Sequence, residues 1–363
     1  MKNHIRWIDD LKGVAIFLIV FGHVLATFVN MTSGRIQCVS NNIFKFIYSF
    51  HVPLFFLVAG LTFSTHDNFI AFFKKKFFRL MIPYYAWGFF CAVLYAVMGQ
   101  FVAGEIAEVS TTSSFASKTM IGQWYIPILS ILHAGAWPDG KGFCFNGVLW
   151  FLPVLFCLEI LYYWLIRLIK DKEWTIVLAA VALCILLWAS SLINVIFPFN
   201  LPCLIRYFPF IAFGHWLSDY VLEKSHLRLN LPIVVASPIG GYFIMSRFFP
   251  IARNDAAYWV DWVFIALLLC VLLLFFAKLN LFCWFSFLAP WTIGIMLFHK
   301  FPLVLLQLVL GRYGQSILNN MSVVIILEVL ISLGLILVCV CASRIIMRIA
   351  PWSLGVVFKN SYQ

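Results

Sequence analysis

Apolar runs of about twenty residues recur along this chain, and each is long enough to cross a ~30 Å hydrocarbon layer as a helix. Hydrocarbon offers no partner to backbone N–H and C=O groups, so such runs must be helices that pack together. Ten spans are predicted: 11–29, 43–64, 80–103, 147–169, 175–197, 203–221, 231–247, 259–277, 283–310 and 322–347. The expected fold class is all-α, a polytopic integral membrane protein. Of its 363 residues, 64% are hydrophobic and 11% charged, and its mean hydropathy is +0.99. That composition leaves no place for an appended soluble domain, so residues 1–363 read as one membrane domain.

The net charge of +11 does not point to nucleic acid. In membrane proteins an excess of Lys and Arg reports orientation. Segments assigned inside carry Lys74, Lys75, Lys76, Arg79, Arg344 and Arg348 among others. Outer loops carry only Arg35, Lys118, Lys141, Arg247, Arg253 and Arg312. Both termini are therefore expected in the cytoplasm, and the protein in the cell inner membrane. The first apolar run is flanked by Asp9 and Asp10, is interrupted by His23 and lacks a small-residue cleavage site, so it reads as a retained helix.

The one long loop, 104–146, is expected on the outer face, polar at its start and rich in Gly and aromatics later, a composition suited to capping a cavity. The ten cysteines show no metal-like spacing, and no metal site is expected. Most lie in apolar runs, where cysteine acts as a small hydrophobe. Only Cys38 and Cys144 fall in predicted outer loops, which makes them the one candidate bridge.

Within the first span, Lys12 and His23 are eleven residues apart. That is close to three helical turns, so both share a face, roughly 16 Å apart along the axis. An imidazole that deep in an apolar run is costly and is by default a functional candidate. His51 enters the second span from the opposite side to a matching depth, and consecutive helices tend to pack as neighbours. His23 and His51 are thus expected at one cavity. His299 and Arg206 fall in the same half of the layer, while Glu159 and Glu328 are acids that either pair with a buried cation or line the cavity. His133 and His215 have no comparable context and read as structural.

Lys74, Lys75, Lys76 and Arg79 crowd one helix entrance. On composition this reads first as an orientation signal, and otherwise as a site for phospholipid or a phosphorylated ligand. Lys76 and Arg79, three apart, share a face. Phosphate-cradling glycine loops, Gly-x-Ser-x-Gly and His-Glu-x-x-His are all missing from the sequence, which leaves chemistry to buried histidines and cations.

These residues carry a family resemblance. Asp9, Leu11-Lys12-Gly13 and His23 resemble the first-span signature of the membrane acyltransferase-3 family, including its branch of fucose 4-O-acetylase-like sugar acetyltransferases. Phe50-His51-Val-Pro53-Leu54-Phe55-Phe56, followed by Ala59-Gly60, resembles the second-span signature. Lys76-Phe-Phe-Arg79-Leu80-Met-Ile-Pro83-Tyr84 resembles the family's basic pair before Leu-x-x-Pro-Tyr. Leu149-Trp150-Phe151-Leu152 and His299 fit later elements. Lys12 and Lys76 stand where Arg is commoner, and Lys lacks the planar fork of Arg.

The resemblance implies an O-acetyltransferase with cytoplasmic acetyl-CoA as the acyl donor and a sugar or glycan hydroxyl as the acceptor, working within the lipid bilayer. On it His23 is expected as general base, with Lys12 and Asp9 as catalytic residues at the inner mouth that position the donor or each other. An acyl-histidine intermediate at His23 is the rival mechanism. His51, Arg206, Trp150, His299 and Glu159 are expected on the acceptor side, with His51 orienting the acceptor or stabilising the oxyanion. Lys76 and Arg79 are expected at the CoA phosphates. A homo-oligomer is compatible with the sequence. The competing class is a transporter or flippase, which predicts inverted repeats and paired broken helices; neither is visible in the sequence.

Overall fold

The computed structural model describes residues 5–94, 131–132, 146–170, 174–175, 178, 201–222, 256–313 and 318–356. Every regular element among these residues is helical. Helix α1 (Arg6–Met31) keeps its charged residues in the first two turns and is apolar beyond them. It ends where Thr32 turns back on it: both the backbone N–H and the hydroxyl of Thr32 donate to the Phe28 carbonyl, at 2.9 and 2.7 Å.

Helix α2 (Gly34–Tyr48) lies against α1 and is followed by α3 (His51–Leu61). The sequence places the second span at 43–64, whereas the helical run begins at Gly34 and extends to Leu61. Residues 34–42 are too polar to read as a span, yet they form the start of a helix whose inward residue, Ser40, donates to the buried carboxylate of Glu328 at 2.6 Å.

Helix α4 (Phe69–Lys76) passes through a π-helical turn (Phe77–Met81) into a run that reaches Leu94. Pro83 has no N–H to give the Arg79 carbonyl. The ladder slips by one residue, and Ile82 N–H bonds to Phe77 O instead. Gly355, at φ +73°, settles on the Arg79 carbonyl; a Cβ there would lie 2.5 Å from that oxygen. Only glycine combines that dihedral with so close an approach.

A short 3-10 turn (Gly147–Trp150) leads into α5 (Phe151–Ile169), and α6 (Leu201–Leu222) follows. Helices α3 and α6 cross at touching backbones. A Cβ on Gly60 would meet Ile211 O at 2.2 Å, and one on Gly214 would meet Leu57 O at 2.2 Å. In a bilayer, lipid is as apolar as the helices, so close packing of small residues holds such pairs together. Beside this crossing Tyr162 and His215 form a buried hydrogen bond of 2.9 Å, which gives His215 a structural role.

Helix α7 (Ala256–Lys278) is followed by a 3-10 segment (Cys283–Trp291), α8 (Thr292–Phe298), α9 (Lys300–Tyr313) and α10 (Met321–Ile349). The chain bends by 110° between Trp262–Lys278 and Cys283–Phe298. That bend falls in the gap between the spans expected at 259–277 and 283–310, and the ninth span itself is divided into the 3-10 segment, α8 and α9. Asn280 takes a positive φ at the bend, Pro290 sits in the 3-10 stretch, and the chain turns again at His299. Near the start of α1, Gly13 lies so close to the 3-10 segment that a Cβ would be 1.9 Å from Phe285 O.

Among the described residues, five runs are long and apolar enough to cross a membrane: Arg6–Met31, Gly34–Leu61, Phe69–Leu94, Gly147–Ile169 and Met321–Ile349. The bent pair makes a sixth if counted as one. Most of the span predicted at 175–197, the span at 231–247, most of the loop 104–146, and Cys144 with its candidate bridge to Cys38 lie outside the described residues.

Candidate active site

His23 sits on α1 in the last third of the helix. The residue before it is glycine, and a Cβ there would approach the Tyr48 ring to 2.9 Å. That space lets Tyr48, the last residue of α2, bring its hydroxyl to 3.1 Å from His23 Nδ1. The helical ladder then breaks over Ser49 and Phe50 and restarts at His51. Ser49 closes the break by donating its hydroxyl to Phe46 O at 2.6 Å. Across it, the rings of Tyr48 and His51 lie 4.5 Å apart. Tyr48 thus stands between the two histidines that the sequence set at one depth.

The third ring is His299, stacked on His23 with centroids 5.2 Å apart. It is fully buried, held at the end of α8 where the chain turns. His51 and His299 share a local device. Each sends Nδ1 to the carbonyl one turn earlier, Ile47 and Ile295 respectively, at 2.9 Å. A carbonyl only accepts, so each Nδ1 carries the proton and, in the neutral ring, each Nε2 keeps a lone pair. His299 Nε2 is buried with no hydrogen-bond partner among the described residues. His23 as a residue is only partly buried.

The remaining expected site residues fall into three other places. Lys12 and Asp9 pair with each other at 3.1 Å, at the far end of α1 from the histidines. Asp10 beside them is fully buried, and both its carboxylate oxygens lack a hydrogen bond within normal geometry; Ser286 and Arg6 are the neighbours that act on it. Lys76 and Glu159 form a close ion pair between the Phe69–Leu94 run and α5, with the Lys76 ammonium 5.4 Å over the Phe72 ring. Glu159 therefore belongs with the basic cluster and not with the histidines. Arg79 is exposed on the π-helical turn.

Trp150 and Arg206 meet at Tyr207. The Tyr207 ring stacks on Phe56 of α3 at 4.5 Å and on Trp150 at 5.7 Å, and Arg206 hydrogen-bonds to the Tyr207 side chain.

Sequence reasoning passed over Tyr48, Lys300 and Asn146. Tyr48 carries a usable signal, lying three residues before His51 and opposite a Gly-His pair. Lys300 is a cation inside an apolar run, the class of residue that marks a site. Asn146 lies outside the apolar runs. Fully buried, it donates to Leu297 O at 2.7 Å, at the end of α8.

A bundle of membrane-length helices that gathers three histidines and a tyrosine is a multi-pass membrane protein. The chain matches the acyltransferase-3 family, described as an acyltransferase domain, over residues 5–346, and belongs to that family. It is an acyltransferase. No curated protein and no solved structure matches it.

Proposed function

We propose that this protein is a membrane O-acetyltransferase that moves acetyl from cytoplasmic acetyl-CoA to a hydroxyl of a cell-surface or lipid-linked sugar. The observation that carries this reading is the histidine cluster: His23, partly accessible, hydrogen-bonded through Nδ1 to Tyr48 and stacked on His299. With Nδ1–H donating to the Tyr48 oxygen, His23 Nε2 holds the lone pair that takes the acceptor hydroxyl's proton as its oxygen attacks the thioester carbonyl. A base so placed typically contributes 10²–10⁴-fold.

His51 Nε2 has only a lone pair to offer in the neutral ring, which suits accepting a hydrogen bond from the acceptor and orienting it. It does not suit donation to an oxyanion. Arg79, exposed beside Lys74 and Lys75, is the cation of the basic cluster best free to meet CoA phosphate, because Lys76 is engaged by Glu159. The Lys12–Asp9 pair, on the same side of α1 as its start, positions the donor. Both termini are cytoplasmic in this reading, and the membrane is the inner one.

The test uses purified protein in nanodiscs with radiolabelled acetyl-CoA and glycan-containing membranes from host cells that lack the gene. Acetyl label should pass to the glycan with wild-type protein and not with His23→Ala, which should still purify as a folded protein. Near-normal transfer by His23→Ala rules out the base assignment, and no transfer by wild-type protein rules out the acetyl reading.

A further inference from the structure

The residue after His299 is a lysine that the roles above leave unused. Lys300 opens α9 directly after the turn at His299. It is partly buried, and among the described residues its ammonium has no ion-pair or hydrogen-bond partner. Its neighbour in the chain, His299, stacks on His23 with centroids 5.2 Å apart, so the start of α9 is set beside the cluster. A cation at membrane depth is costly, and it persists where an anion, a carbonyl or water comes to meet it.

The acyl transfer proposed above creates an anion at this place. As the acceptor oxygen attacks, the thioester carbonyl oxygen takes on negative charge, and a fixed donor aimed at it is usually the largest single contribution to such catalysis. The cluster's own rings have few donors to spare. Nδ1–H of His51 and of His299 is committed to a backbone carbonyl, and Nε2 of each neutral ring is an acceptor. Tyr48 accepts from His23 Nδ1–H in this arrangement, which leaves its O–H as the one neutral donor of the cluster. Lys300 brings three N–H donors and a full charge.

We propose that Lys300 is a catalytic residue of the transfer, its ammonium holding the oxyanion that forms on the thioester carbonyl beside His23. The acceptor O–H gives its proton to His23 Nε2 while the new O–C bond forms and the C=O π pair moves to oxygen. Lys300 stabilises that charge without giving up a proton. When the tetrahedral centre collapses, the C–S bond breaks and the CoA thiolate leaves, protonated by the His23 imidazolium. Acetyl, proton and electron pairs are all accounted for by donor, acceptor and His23.

The assignment rests on the acetyl-transfer reading, and the experiment separates the two. Wild-type protein, Lys300→Gln, Lys300→Met and Lys300→Arg in nanodiscs are given labelled acetyl-CoA and the glycan-containing membranes. Acetyl-CoA binding and thermal unfolding are measured alongside. Loss of one oxyanion donor costs roughly 10²–10³ in kcat. The neutral variants should fall by that much, with acetyl-CoA affinity within about threefold of wild type, while Lys300→Arg should retain activity within about tenfold because charge and donors remain.

A neutral variant with unchanged kcat overturns the assignment. So does a rise in KM for the glycan alone, which makes Lys300 a recognition residue, and so does loss of the fold in both neutral variants, which makes it a structural one. A silent wild-type protein sinks the acetyl-transfer reading, and the Lys300 role goes with it.

Discussion

The Tyr48 hydroxyl lies 3.1 Å from Nδ1 of His23, where α2 meets α1 at Gly22. It fixes which imidazole nitrogen is tied up and which is left for chemistry. Tyr48→Phe removes this hydrogen bond and nothing else of similar size. A neutral hydrogen bond is worth about 0.5–1.5 kcal/mol, so kcat should fall roughly 2- to 13-fold, with KM for acetyl-CoA unchanged. Steady-state transfer of labelled acetyl checks this, and a variant with wild-type kcat shows that Tyr48 does not hold His23.

Gly22 gives the same contact a second handle. Gly22→Val pushes a branched side chain into the Tyr48 ring, which its Cβ alone would meet at 2.9 Å. Overpacking of this kind costs about 1–3 kcal/mol. The expected result is a lowered thermal midpoint together with a loss of activity larger than that of Tyr48→Phe. Detergent-phase thermal unfolding and the transfer assay measure the two effects side by side.

The Lys76–Glu159 pair is set for a double-substitution cycle. Glu159 has 4% of its side chain exposed and Lys76 21%. Removing one partner of a buried pair costs about 3–5 kcal/mol, because the other charge is left uncompensated. Glu159→Gln and Lys76→Met should each destabilise the protein, and the double variant should be more stable than the worse single one. If the two effects simply add, the pair is not coupled.

The crossing of α3 and α6 tolerates no side chain at its centre. Gly60→Val and Gly214→Val each place a Cβ about 2.2 Å from a backbone oxygen of the other helix. Each should abolish the monodisperse peak in fluorescence-detected size exclusion, or lower its thermal midpoint by many degrees. Gly334→Ala, where a Cβ would meet nothing within 4 Å, should be silent in the same assay.

Much of this architecture can be traced in the amino-acid order. Length and apolarity locate α1, the 147–169 helix and α10 to within a few residues, because in a bilayer those two quantities alone decide what spans. The breaks follow from subtler causes. Pro83 shifts a ladder by one residue around Arg79, and at the 110° bend after Lys278 Asn280 adopts a left-handed backbone. The first leaves no trace in hydropathy, whereas the second falls in the gap between the spans expected at 259–277 and 283–310. Depth arithmetic puts His23 and His51 at one level, while Tyr48 is signalled only by its spacing from His51 and by the Gly22-His23 pair on another helix. Glu159 reads as an intramembrane acid with two possible fates. Its partner, Lys76, is decided by how α5 packs and by nothing local.

The sharp bend between α7 and the 3-10 segment has a consequence for the catalytic rings. His299 arrives at His23 on a short arm of chain hinged at residues 279–282, and Phe285 of that arm rests on Gly13. The altitude of the His299 ring is thus measured from the base of the first helix, not from the far rim of the bundle. Lengthening the hinge by a single residue should slide the two imidazoles out of register while leaving every long helix where it stands.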